Sequence, residues 1–164
     1  MERVCRVSET ISRAVQKIEM FIGVACLFAL FVLMIANTFG RYLLAMPILW
    51  ADELNNFLFV WVGFLGAAYI MGNDGHIRVT AIFGVLSRSG RFCVLQISNL
   101  IFLFMCGIFM EPCYRLLRAV TFSGIMRIPL EYIYIIIPLS FGFMGLHIIN
   151  NMFQTTLRFR KKEL

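Results

Sequence analysis

Charge is scarce in this sequence: Asp, Glu, Lys and Arg make up 15% of its 164 residues, and 60% are hydrophobic. A soluble domain carries about a quarter charged residues and an apolar fraction nearer half, so an ordinary soluble fold is excluded. Four stretches lack charge altogether, Met20 to Gly40, Leu54 to Asn73, Phe92 to Met110 and Tyr132 to Leu157. A helix needs about 20 mostly apolar residues to cross the roughly 30 Å hydrocarbon core of a bilayer. Four spans, at about 20–42, 54–73, 92–111 and 130–154, use up most of the chain and leave a single membrane domain. The alternating segments of about 10 residues that a β-barrel needs are absent. The fold class is therefore all-α, because hydrocarbon forces each backbone group to find its partner within its own segment.

Other absences narrow the function. The five cysteines include no CxxC pair and there are two histidines, which leaves no plausible metal cluster. The sequence holds no Ser/His/Asp arrangement, no phosphate loop and no paired carboxylates in a shared cleft, so no enzyme and no cofactor are expected. The net charge of +6 is not joined to an aromatic platform or a known module, which argues against nucleic acid as a partner. The cores of the spans hold no Asp, Glu, Lys or Arg of the kind a proton- or ion-coupled pathway keeps at depth. His147 is the one titratable imidazole within a span, and a hydrogen bond to a neighbouring helix is its expected role.

The basic residues that are present report orientation. Eleven Lys and Arg fall in the two tails and the link between spans 2 and 3, against four (Arg41, Arg115, Arg118 and Arg127) on the other side. The positive-inside rule then places both termini in the cytoplasm, facing anionic lipid headgroups. Before span 1, Val4, Val7, Ile11, Ala14, Val15 and Ile18 recur at helical spacing opposite Arg6, Glu9, Arg13, Gln16 and Lys17. This pattern predicts an amphipathic helix on the membrane surface, anchored among lipid headgroups. A second interfacial helix follows the turn "NDGHIRV", with His76, Arg78, Val79, Ile82, Phe83 and Leu86 its marked residues. Pro112 either stops or kinks span 3, "SGIMRIP" breaks the helical pattern, and Pro138 predicts a bend in span 4.

Small residues point to packing. Gly63, Gly66, Ala67 and Ile70 share a stripe of span 2, and Gly142 and Gly145 offer a shorter version in span 4. Such stripes let backbones approach closely, either among these four spans or against another protein. The stretch "WADELNNFL" sets Trp50, Asp52 and Glu53 at the threshold of span 2, near Arg41. An anion at a helix N-terminus is favoured by a few tenths to about 1 kcal/mol. Two of them leave a local ion pair or a cationic partner open.

Taken with "FLGAAYIM", "GHIRV", "FGRYLL" and "GIMRIPLEYIYIIIPLSFGFMGL", this threshold motif resembles the small membrane subunit of tripartite ATP-independent periplasmic (TRAP) transporters over about residues 20 to 154. The chain departs from that family's pattern around Thr80 and Ser87, in the inner surface helix. The resemblance implies a multi-pass subunit of the bacterial inner membrane that does not itself transport. Its implied partners are a large many-span membrane subunit, which carries an organic acid inward with sodium, and a periplasmic substrate-binding protein. It implies that Arg41, Trp50, Asp52 and Glu53 belong to an outer-face docking or structural region, that span 2 packs between subunits, and that sodium is bound elsewhere in the complex. Two alternatives remain: an autonomous homo-oligomeric four-span transporter, or the membrane anchor of an oxidoreductase.

Overall fold

The computed structural model describes residues 2–46, 48–73, 87–119 and 121–160, with side chains described from residue 7 onward. The inner surface helix expected around His76, Arg78, Val79, Ile82, Phe83 and Leu86 lies outside the described residues. Among the described residues there are five helical segments: α1 (Glu2–Tyr42), α2 (Leu49–Gly72), α3 (Arg88–Arg118), α4 (Glu131–Tyr134) and α5 (Ile136–Arg160). Four stretches of the described residues, α1, α2, α3 and the α4–α5 pair, are long and apolar enough to cross a membrane. The chain is an all-α, multi-pass membrane protein. Among the described residues the only β-pairing is an isolated bridge between Phe122 and Pro129.

Helix α1 runs unbroken for 41 residues, about 60 Å at 1.5 Å per residue. The expected surface helix before span 1 is therefore not a separate element but the first turns of the span itself. Val7, Ile11 and Ile18 are more than half exposed, while Ser12 and Glu19 are buried against α5. The apolar stripe thus faces out of the protein, Arg13 and Lys17 are exposed beside it, and Ser12 and Glu19 take the packed face.

The turn from α1 to α2 is tight. Met46 N–H donates to the Gly40 carbonyl at 2.9 Å, and a Cβ added to Gly40 would meet the Met46 carbonyl oxygen at 2.9 Å. Ala45 takes the left-handed conformation (φ 51°) within this turn. The first residues of α2 borrow their cap from α1: Asn37 Oδ1 accepts from Ile48 N–H at 3.2 Å, supplying a partner that Ile48's own side chain lacks.

Helix α3 starts at Ser87, whose hydroxyl accepts from Gly90 N–H at 3.3 Å. It passes straight through Pro112 to Arg118, so the proline interrupts the ladder without ending the helix. The last span behaves differently. It is broken at Ile135, one turn before Pro138, where the ring removes a donor and crowds the carbonyl of Tyr134. Trp61 of α2 donates from Nε1 to the Ile133 carbonyl at 3.0 Å, beside the break. A neighbouring helix thus satisfies backbone that a proline-broken span exposes.

The α4–α5 span is the hub. It packs against α1, α2 and α3, and 33% of its 18-residue apolar stretch is buried, against 6–11% of the corresponding stretches of the other three. Its contacts sort by partner. Met144 and Ile148 form the core with Ala68 of α2 and Cys106 of α3. Toward α3, Phe141 stacks on Phe109 and Phe159 on Phe92, at 5.6 and 4.4 Å between ring centres. Gln96 of α3 reaches the Met152 carbonyl and Thr156. Toward α2, Asn151 donates to the Met71 carbonyl at 2.9 Å.

Ile148 is fully buried where three helices meet. Ile148→Ala is expected to cost about 2–5 kcal/mol, read as a lowered unfolding midpoint in detergent micelles. The exposed Ile97→Ala should shift it by no more than about 0.5 kcal/mol.

Candidate functional site: the acidic threshold and the outward face

The two carboxylates at the start of α2 do different work. Asp52 turns toward α1: Asn37 Nδ2 donates to its Oδ1 at 2.6 Å and Arg41 pairs with its Oδ2 at 2.7 Å. Asn37 is buried, with its amide used on both sides, so one side chain fixes both Ile48 and Asp52. The Arg41–Asp52 pair is about half exposed on each side. Its Coulombic worth is therefore small, below about 1 kcal/mol, and its effect is positional.

Glu53 turns the other way, toward the α3–α4 loop. Its carboxylate accepts from Met126 N–H at 2.7 Å and from Ile125 N–H at 3.3 Å. Inside that loop, Ser123 Oγ accepts from Ile128 N–H at 3.0 Å, and Arg127 holds a left-handed φ of 52°. The loop thus hangs its free amides on a carboxylate 72 positions earlier in the chain. Trp50 makes no comparable tie and is 43% exposed at the same end. The structure brings Arg41 and Asp52 together, sends Glu53 to a separate task, and leaves Trp50 on the surface.

The small-residue stripe faces out of the bundle. Gly63, Ala67 and Ile70 are exposed, Gly66 is half-buried, and a Cβ added to Gly63 or Gly66 would meet nothing within 4 Å. Gly142 is open in the same way, whereas Gly145 faces Leu103 of α3 at 4.0 Å. Packing within these four spans therefore does not use the Gly63–Ala67 pair. Above it on the same helical face lie Phe59 and Asn56, at the edge of an open groove of about 550 Å³ between α1 and α2. Asn37, Arg41, Asp52 and Asn55 give this groove a polar floor, and Asn55 Oδ1 is buried there without a partner.

The remaining titratable group singled out in the sequence, His147, is fully buried and bonded at both ring nitrogens. Ser12 Oγ lies 2.7 Å from Nδ1 and Glu19 Oε2 lies 3.2 Å from Nε2. Hydrogen bonding to a neighbouring helix is as expected. Glu19, expected at the edge of span 1, is 1% exposed. Sequence reading missed Glu19, Ser12 and Asn37 as functional partners. The one signal for Ser12 and Glu19 was a polar residue recurring at i, i+3, i+7 and i+10 through Glu9, Ser12, Gln16 and Glu19; Asn37 had none.

Residues 30–158 match the family of tripartite ATP-independent periplasmic transporters, DctQ component. The chain belongs to this family. It is 24% identical over 141 residues to the ectoine TRAP transporter small permease protein TeaB of Halomonas elongata, covering 84% of this chain and 73% of that protein. It is 28% identical over 80 residues to a putative TRAP transporter small permease protein of Haemophilus influenzae, covering 49% of this chain and 50% of that protein. It is also 28% identical over 96 residues to the sialic acid TRAP transporter permease protein SiaT of Haemophilus influenzae, covering 56% of this chain but only 16% of that protein. In SiaT a stretch like this DctQ-family chain is thus a small part of a much longer permease. The family is one of transporter subunits, which is not a class of enzyme.

Replacing Glu53 by alanine is expected to free the Ile125 and Met126 amides, seen as faster hydrogen exchange over residues 124–127. Asp52→Ala should leave that loop protected and instead raise exchange at Ile48 and Ala51.

Proposed function

We propose that this DctQ-family chain is the non-transporting scaffold subunit of a TRAP transporter that imports an organic acid together with sodium. It packs beside a large many-span membrane subunit, which holds the transport pathway and the sodium. A periplasmic substrate-binding protein delivers the solute to their shared outer face. The chain sits in the bacterial inner membrane with both termini in the cytoplasm, an orientation favoured by eleven Lys and Arg against four. That puts the Arg41–Asp52 pair, Trp50 and the Glu53-bound loop on the periplasmic side. No cofactor and no sodium site belong to this chain.

The observation that carries the scaffold role is the outward face of α2. A Gly63–Ala67 pair left open by its own bundle, beneath a polar groove, is a surface suited to a second protein. Lipid tails gain nothing from small residues and offer no hydrogen-bond partner to Asn55 or Asn56. The length of SiaT supports a large membrane partner, since a segment like this one is there continuous with a much larger permease. The relatives named for ectoine and sialic acid handle different solutes. Substrate choice therefore resides outside the part they share with this chain.

Gly63→Leu combined with Ala67→Leu is expected to leave the isolated chain's stability within about 0.5 kcal/mol of the parent and to abolish co-purification of the large subunit. Retention of the complex by this variant would refute the assignment of the face. Asp52→Ala with Glu53→Ala is expected to reduce co-purification or uptake. Normal uptake with an intact complex would confine both residues to holding their own loops.

A further inference from the structure

At the end of the bundle where α1 begins and α5 ends, the two helices meet along a polar seam. From α1 come Glu9, Ser12, Gln16 and Glu19, at intervals of three or four residues. From α5 come His147, Asn150, Asn151 and Gln154 with the same spacing. Gln154 donates to Glu9 at 3.3 Å, and Gln16, lying over Gly72, donates to Asn73 of α2 at 3.2 Å. At the deep end of the seam sits the Ser12–His147–Glu19 chain, with relative exposures of 4%, 0% and 1%.

The seam is not fully closed. A cavity of about 160 Å³ separates α1, the end of α2 and α5, with Ser12 and Asn150 among its walls. Asn150 is 6% exposed, and its Oδ1 has no partner; Glu19 Oε1, on the far side of the imidazole, has none either. Two buried acceptors without donors carry a penalty of about 1–3 kcal/mol or more each unless something supplies a hydrogen. A polar cavity of this volume is large enough for a few water molecules, each taking about 30 Å³. Among the described residues, the charged groups lining it are Glu9 and Arg13 of α1 and Arg158 of α5; α2 contributes Asn73. Helix α3 packs on the opposite side of α5.

We propose that this cavity is a water-filled access route, and that the buried Glu19–His147 pair is a protonation site reached through Ser12. With Glu19 as carboxylate, the ring donates Nε2–H to Oε2 and accepts the Ser12 hydroxyl at Nδ1. On proton uptake a hydronium arriving from solution through the cavity gives its extra proton to Ser12 Oγ while Ser12 passes its own to Nδ1, leaving a neutral water. One proton is gained and the ring becomes imidazolium beside a carboxylate. The seam then holds a neutral pair in place of an isolated buried anion, so the proton fastens the first half of α1 to α5. A lone buried charge is costly and a paired one much less so. The protonation state of this site therefore controls how tightly α1 is held at that end. This goes beyond the scaffold role and does not depend on it.

The test uses the full chain in lipid nanodiscs with ¹⁵N-labelled histidine. The chain has two histidines, so His76→Gln leaves a single imidazole to observe. The expected result is a pH-dependent change in the ring nitrogens over the range in which the chain stays folded. A step in backbone amide exchange over residues 8–20 should accompany it, and Glu19→Gln should abolish that step. Should Glu19→Gln not insert, Ser12→Ala keeps the carboxylate–imidazole pair and is expected to cause loss of solvent exchange at Nδ1. Ring signals constant across that range, an exchange step that survives in Glu19→Gln, or undiminished Nδ1 exchange in Ser12→Ala would overturn the proposal. So would a response to sodium in place of choline at fixed pH, which would make the site one for a metal cation.

Discussion

Inside a bilayer a leucine is as well accommodated by a lipid tail as by another helix, so apolar surface alone does not hold helices together. What holds them is close packing and hydrogen bonds that lipid cannot offer. The organisation of this chain follows from that constraint. The broken α4–α5 span is the hub because it carries the groups that other helices can bond: the Ile133 carbonyl for Trp61, Asn151 for the Met71 carbonyl, the Met152 carbonyl and Thr156 for Gln96, and His147 for Ser12 and Glu19. Much of the outer surface is apolar, with Phe, Ile, Leu, Val and Met side chains exposed.

The two carboxylates that open α2 illustrate the same economy at the other end. One anion is shared between a buried amide and a guanidinium on α1; the other accepts from the Ile125 and Met126 amides of the α3–α4 loop. Together they tie α1, α2 and the α3–α4 loop into one surface. A subunit that presents a fixed face to a partner needs its loops held by its own side chains before the partner arrives. Trp50 and the groove beside Asn55 remain open on that surface.

Much of the fold was legible. Charge-free runs of about 20 residues located all four spans, Pro138 located the break in the last one, and the motifs around Trp50 and in the final span indicated the family. What periodicity could not give was which face of a helix turns inward. Val7, Ile11 and Ile18 were assigned to a headgroup anchor, and Ser12 and Glu19 were not named as the face of α1 that packs on α5. The contacts that give Glu19, Ser12 and Asn37 their roles were equally hidden. Two of them span 128 and 135 positions, and no local pattern encodes a partner so far away. Glu53 and the Met126 amide, 73 positions apart, are a further instance. The residues from His76 to Leu86 keep the standing they had in the sequence.

The unbroken length of α1 has a mechanical consequence. At about 60 Å it exceeds the 40–45 Å of a whole bilayer with its headgroups. Its far end is fastened to α2 through Asn37, and its near half to α5 through Ser12 and Glu19 and to α2 through Gln16. A stiff rod held on both halves works as a lever. A tilt of about 10° around its midpoint displaces each tip by about 5 Å on opposite sides of the membrane. Any adjustment of the seam with α5 is thereby delivered, without an intervening joint, to the turn at Gly40 and the acidic threshold beside it.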